Sequence, residues 1–287
     1  MYFKNKHLLL LQIPIALMFF LCATEAPAFS VQSSHLHKKN IVPEKKVQAS
    51  LDDLIKKLSP AFHDNYAKTI LSDDRLTLDY SILPAKLTPE QIKKAGNFKK
   101  RILSADAVAH SKRYMEKFKN DFDAAHRKYG VPPEIIASII RIETHGGSYL
   151  GRRSVINSLF SSYVLRPSRR NFALSQLEYF LKITHENFWD PYSIMGSDEG
   201  AFGIPQFIPW SFTKFAVDGS GDGFIDLFNH ADAIASVANY LQKNGWSKYP
   251  KKKRSAILRY NRWSTYADLV LEFAELLKKN NTKKELT

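Results

Sequence analysis

VPPEIIASIIRIETHGGSYLG, residues 131–151, is the stretch on which the reading of the fold turns. Pro132 and Pro133 suit the first positions of a helix, where a missing N–H is no loss and φ is already helical. Ile136, Ile139 and Ile140 follow at helical spacing, and Glu143 stands seven, four and three residues beyond them, so a carboxylate continues the apolar stripe. Gly146 and Gly147 stop the helix just after, which puts Glu143 in its last turn. Unpaired carbonyls and the negative end of the macrodipole disfavour an anion there. Desolvation acts in the same direction, so the pKa of Glu143 is expected to rise and leave a share of it protonated near neutral pH, the state a general acid needs. The bland alternative is a rim glutamate paired with Arg141 or another arginine.

Working outward from this helix, Tyr114, Phe118, Phe122 and Ala125 form an apolar stripe running up to it. Upstream, Leu51, Leu54, Ile55 and Leu58 open the folded domain, Pro84 and Pro89 interrupt an irregular stretch, and Thr88, Pro89 and Glu90 read as a helix start. Downstream, Phe172, Leu177, Phe180, Leu181 and Phe188 offer a core face. Ile234, Val237, Ala238 and Leu241 form another stripe, with Tyr240 off its centre, and Leu269, Leu271, Phe273, Leu276 and Leu277 suggest a buried terminal helix. No run of alternating apolar and polar residues is long enough to build a sheet. The expected fold is mainly α.

The 287 residues, 44% hydrophobic and 13% aromatic, are ample for a proper core. At the N-terminus, MYFKNKH precedes a short apolar run interrupted by Gln12 and Pro14, and Ala26 and Ala28 give an AxA cleavage pattern. Residues 1–28 are therefore expected to be a cleaved signal peptide, 29–50 a disordered basic linker, and 51–287 the folded domain, with no transmembrane helix in the mature chain. An uncleaved anchor, or a lipoprotein signal on Cys22, is the alternative, but Leu21 is bulky where a lipid-attachment site wants a small residue. Cys22 is the sole cysteine, so the exported chain has no disulfide to lean on. A net charge of +14 favours polyanionic partners, and export demotes nucleic acid among them.

Two further stretches carry chemistry. GSDEGAFGIPQFIPWSF, residues 196–212, mixes glycines and prolines with Phe202, Phe207, Trp210 and Phe212, which suggests a loop shaping a sugar-binding groove. DGSGDGFIDLFNHAD, residues 218–232, places Asp218, Ser220, Asp222, the Phe224 carbonyl and Asp226 at positions 1, 3, 5, 7 and 9 of an EF-hand-like calcium loop, with Gly223 at position 6. Position 12 is Asn229 where a bidentate glutamate belongs, and Asp232 can supply the missing carboxylate if the loop is slightly extended. A non-binding Asp/Gly turn is the alternative.

Taken together, YGVPPEIIASIIRIET, GSDEGAFGIPQFIPWSF, the calcium-like loop, SVANYLQKNGW and RYN resemble the soluble-B type of lytic murein transglycosylase, glycoside hydrolase family 103, over roughly residues 51–280. The resemblance implies a lysozyme-like helical domain that cleaves the bond between N-acetylmuramic acid and N-acetylglucosamine in peptidoglycan. It implies Glu143 as the catalytic acid, and Ser197, Gln206, Tyr240, Tyr260, Asn261 and Tyr266 as substrate-binding residues. For a structural Ca2+ it implies Asp218, Ser220, Asp222, the Phe224 carbonyl and Asp232 as ligands, with no organic cofactor. Glycan strands are the implied partner, cell-wall machinery proteins are compatible with it, and the periplasm is the implied location. The chain departs from the family at His145, Gly146 and Gly147, where relatives carry an aromatic residue and glycine, and in the short span between Trp246 and Arg259.

Ordinary glycosidases use two carboxylates, and Asp190, Asp198 and Glu199 are the candidates for a second one. The family pattern gives none of them a catalytic role, and a lone acid suffices if the muramic 6-hydroxyl closes on C1. Two rival readings stay open at this point: a hydrolytic muramidase using water and a second carboxylate, and a non-catalytic peptidoglycan-binding scaffold.

Overall fold

The structure, a computed structural model, describes residues 42–83 and 96–279. The signal peptide, the linker up to residue 41 and the helix start expected at Thr88–Glu90 lie outside the described residues. Where the linker was expected to run to residue 50, helix α1 already begins at Glu44 and buries Ser50 together with Leu54 and Leu58. Pro43 precedes its first turn and Lys56 and Lys57 close its last, which favours a helix despite the basic composition.

The described residues are mainly helical. After α1 (Glu44–Leu58) come α2 (Tyr66–Leu71), α3 (Phe98–Ile102), α4 (Ala105–Lys117), α5 (Lys119–Tyr129) and α6 (Pro133–Thr144). They are followed by α7 (Val155–Leu165), α8 (Arg170–Glu186), α9 (Pro209–Phe215), α10 (His230–Lys243), α11 (Pro250–Tyr260) and α12 (Ser264–Lys278). The strands described are β1 (Arg153–Ser154) and β2 (Met195–Gly196), an antiparallel pair of two residues each.

Helix α6 is the axis of the fold. Ile135, Ile136, Ile139, Ile140 and Ile142 are all at most 4% exposed, so the helix is buried on nearly every side rather than along one stripe. Each such side chain contributes about 1.5–3 kcal/mol relative to exposure. Helices α4, α5, α10 and α12 pack around it, while α7 and α9 both pack on α8, and α9 also touches α10. Segment 196–208 joins the two groups, with the Phe202 ring meeting Phe180 of α8, Phe212 of α9 and Phe228.

Three differences from the sequence reading have local causes. The stripe through Tyr114, Phe118, Phe122 and Ala125 spans two helices, because the chain leaves helical geometry at Phe118 and restarts as α5. Phe188 points away from the core and is 96% exposed, since the chain turns through a left-handed conformation (φ +55°) just after α8. Of the loop aromatics, Phe202, Phe207 and Phe212 are buried in the core, and only Trp210 stands partly exposed, at 37%.

Candidate active site

Glu143 sits in the final turn of α6, which ends at Thr144; the residue that turns the chain is His145 (φ +54°), with Gly146 and Gly147 continuing in the left-handed region. The Glu143 carboxyl is 7% exposed, and burial raises its pKa to about 7, opposed by a hydrogen bond that Tyr266 donates to Oε1 at 2.7 Å. Among the described residues no cation pairs with it, Arg141 two residues earlier included, and a 7% exposed carboxyl is not a rim glutamate. His145 is held neutral, its pKa pushed down to about 4 by burial and by repulsion from Arg141, Arg101 and His110.

An aromatic stack walls the carboxyl. Tyr266, in the first turn of α12 and fully buried, lies parallel to Tyr260 at 6.4 Å between ring centroids, and Tyr260 meets Tyr240 edge-on at 4.7 Å. The terminal helix begins at Ser264, ahead of the apolar stripe at 269–277, so Tyr266 occupies a core position in its first turn. Tyr240 donates to the Arg259 carbonyl at 2.6 Å and Tyr260 to the Pro205 carbonyl at 2.5 Å, which fixes both rings. Gln206, in a left-handed conformation (φ +51°), donates Nε2 to the carbonyls of Gly203 and Leu150, and its Oε1 is buried without a hydrogen-bond partner. A buried acceptor left open costs about 1–3 kcal/mol, so Oε1 is suited to receiving a donor from a ligand.

The remaining expected substrate residues sit less centrally. Ser197, 3% exposed, accepts from the amides of Ala201 and Glu199 and so closes its own turn. Asn261 accepts from the Trp263 amide at 3.1 Å, leading the chain into α12. The three candidate second carboxylates are committed to arginines: Asp190 to Arg75, Asp198 to Arg153, and Glu199 to Arg166 and Arg169. Sequence reasoning missed Arg153, which spans Asp198 and Asp79. Periodicity carries no signal for a contact between such distant segments.

In segment 218–232, Asp218 accepts from the amides of Gly221 and Gly223 and from the Ser220 hydroxyl, and Asp222 from the Phe224 amide. Asp232 is 1% exposed and accepts three amides, those of Gly219, Ser220 and Asp226. Asn229, at the position of the usual glutamate, is the N-cap of α10, accepting from the Ala231 amide at 2.8 Å. That capping role places the next inward carboxylate one turn later, at Asp232. Among the described residues no three carboxylate or imidazole groups gather into a ready-made metal cluster. The oxygen-only donor set and the buried carboxyl of Asp232 nonetheless suit a hard cation.

Comparison with known proteins identifies the family and the fold. Residues 59–255 match the model of the transglycosylase SLT domain, and the chain belongs to that family. The match ends before Tyr260 and Tyr266. The membrane-bound lytic murein transglycosylase B of Escherichia coli is 37% identical over 151 residues, which are 53% of this chain and 42% of that protein, so the similarity spans less than half the relative's length. Among solved structures, the E. coli lytic transglycosylase Slt35 in complex with calcium superposes with a TM-score of 0.68 at 24% identity, covering 83% of this chain and 94% of that one. SltB3 from Pseudomonas aeruginosa, in complex with NAG-anhNAM-pentapeptide, gives a TM-score of 0.70 at 22% identity over 81% of this chain and 79% of that one. At these identities the two structures share the fold with this chain.

Proposed function

We propose that the protein is a lytic transglycosylase that cleaves the β-1,4 bond between N-acetylmuramic acid and N-acetylglucosamine in peptidoglycan and leaves 1,6-anhydromuramic acid ends. The observation that carries this reading is the isolation of Glu143, a buried carboxyl with a pKa near 7, one phenol donor and, among the described residues, no second carboxylate acting on it. A group half protonated at neutral pH can serve in both steps. Protonated, Glu143 delivers its proton to the glycosidic oxygen as the C1–O4 bond breaks. As carboxylate, it takes the proton of the muramic 6-hydroxyl while O6 bonds to C1, which restores the acid and consumes no water.

Tyr266 supports the carboxylate phase, because its hydrogen bond favours the charged form. Gln206 Oε1 accepts from a substrate N–H or O–H, the partly exposed ring of Tyr260 provides an apolar face for a sugar with Tyr240 packed edge-on behind it, and Ser197 and Asn261 hold the turns of the 197–201 and 261–263 segments. Calcium held by Asp218, Ser220, Asp222, the Phe224 carbonyl and Asp232 would supply a structural cross-link between the loop and α10, without part in the chemistry. The N-terminal basic and apolar pattern supports export to the periplasm. Among the described residues no helix is long and apolar enough to cross a membrane.

Mass spectrometry of soluble products from purified sacculi tests the proposal. Anhydromuropeptides are expected; reducing-end products, heavier by one water, would establish a hydrolytic muramidase, and glycan binding without products a scaffold protein.

A further inference from the structure

One turn gathers the groups around Glu143. Gly203, Ile204 and Pro205 present three successive carbonyls, and each is taken by a different side chain. Gln206 Nε2 donates to Gly203 at 2.9 Å, Thr144 Oγ1 to Ile204 at 2.8 Å, and the Tyr260 hydroxyl to Pro205 at 2.5 Å. The turn is anchored from behind, where the Ile204 amide donates to the Leu227 carbonyl at 2.8 Å. Gly203 (φ +73°) has no space for a side chain, since a Cβ there would lie 2.5 Å from that of Leu227.

Thr144 departs from what a helix threonine usually does. Such a hydroxyl ordinarily bonds back to the carbonyl four residues earlier. Here the Ile140 carbonyl is 3.4 Å away, and the shorter bond leaves the helix for a turn sixty residues on. The same oxygen accepts from the Gly147 amide at 3.1 Å, so it also holds the left-handed exit of the helix. The side chain is fully buried, where water cannot substitute for either partner.

We propose that Thr144 is the positioning residue of the catalytic acid: its hydroxyl bolts the last turn of α6 to the 203–205 turn, fixing Glu143 in register with Gln206 and the Tyr260–Tyr266 stack. Packing holds the body of α6, and this hydroxyl ties its last turn, where His145, Gly146 and Gly147 leave in left-handed backbone, to the 203–205 turn. Displacements on the 1 Å scale cost up to about a hundredfold in rate when an acid must meet one oxygen. This inference rests on Glu143 being the acid.

The test compares Thr144→Val, which keeps the shape and loses the hydroxyl, with Thr144→Ser, which keeps the hydroxyl. Both are assayed on sacculi for kcat, KM and pH profile, and the Glu143 carboxyl is titrated by carbon-detected NMR. Expected are a fall in kcat of about 10–100-fold in Thr144→Val with KM nearly unchanged, a downward move of the Glu143 titration as water reaches the carboxyl, and recovery of both in Thr144→Ser. Wild-type kcat and titration in Thr144→Val would overturn the proposal, as would a Thr144→Ser variant as impaired as Thr144→Val, which assigns the effect to the methyl group. If Thr144→Val does not fold, Thr144→Ala takes its place against the same serine control. A wild type that releases no muropeptides would refute the proposed activity alone, because the NMR titration still decides whether Thr144 sets the state of Glu143.

Discussion

Tyr266 reaches Glu143 across 123 positions of sequence, its phenol donating to Oε1 at 2.7 Å with both groups buried. The bond opposes desolvation, stabilising the carboxylate that burial penalises. Tyr266→Phe therefore raises the pKa of Glu143 further. The alkaline limb of the kcat profile should move upward in pH, and stability should fall by about 1 kcal/mol for the lost bond. An unmoved limb with intact activity would separate Tyr266 from the acid.

Glu143→Gln removes the proton source while keeping the side-chain volume. Glycan cleavage should drop by several orders of magnitude with circular dichroism unchanged. Substantial residual release of anhydromuropeptides would move the acid elsewhere.

The same substitution has a measurable effect on stability. The folded pKa of Glu143, about 7, lies above the ordinary 4.5, so the folded state holds a proton that the unfolded state releases between these values. Stability from this group is fully present below about pH 4.5 and is lost as pH rises to about 7, to the extent of roughly 3 kcal/mol. Denaturant melts of wild type and Glu143→Gln at pH 5 and pH 8 check this. The variant should gain on the wild type by that order at the higher pH, and parallel behaviour would contradict a raised pKa.

Calcium should raise the melting temperature of the wild type and leave Asp232→Asn unaffected. At a hundred times Kd a bound ion adds about 2.7 kcal/mol. Even without calcium the variant should lose about 1–3 kcal/mol, since an amide cannot accept all three N–H groups that Asp232 satisfies. Differential scanning calorimetry with calcium or chelator measures both, and a wild type indifferent to calcium would leave the loop a self-capped turn.

Much of the architecture around Glu143 was legible because one helix carries both signals. The isoleucine stripe reports burial, and a carboxyl on that stripe must be desolvated wherever the rest of the chain lies. What surrounds it was not legible. Tyr266 lies ahead of the apolar stripe that marks the terminal helix, and its bond to Glu143 joins segments 123 positions apart, a contact that periodicity does not report. Phe202 and Phe207 were read as groove walls, yet glycines at 196, 200 and 203 let the backbone fold so tightly that the rings turn inward. The helix from Glu44 hides in a lysine-rich segment because only every third or fourth residue needs to be apolar to pack.

The position of α12 has a consequence for how the chain becomes active. Glu143 owes its raised pKa to burial, and that burial requires a helix more than a hundred residues later to dock against α6. A chain emerging N-terminus first holds Glu143 in contact with water until α12 arrives, and a hydrated glutamate is ionised at neutral pH and useless as an acid. Maturation of the proton donor thus waits on the docking of α12, and a chain that has not yet docked it lacks a protonated Glu143 at neutral pH.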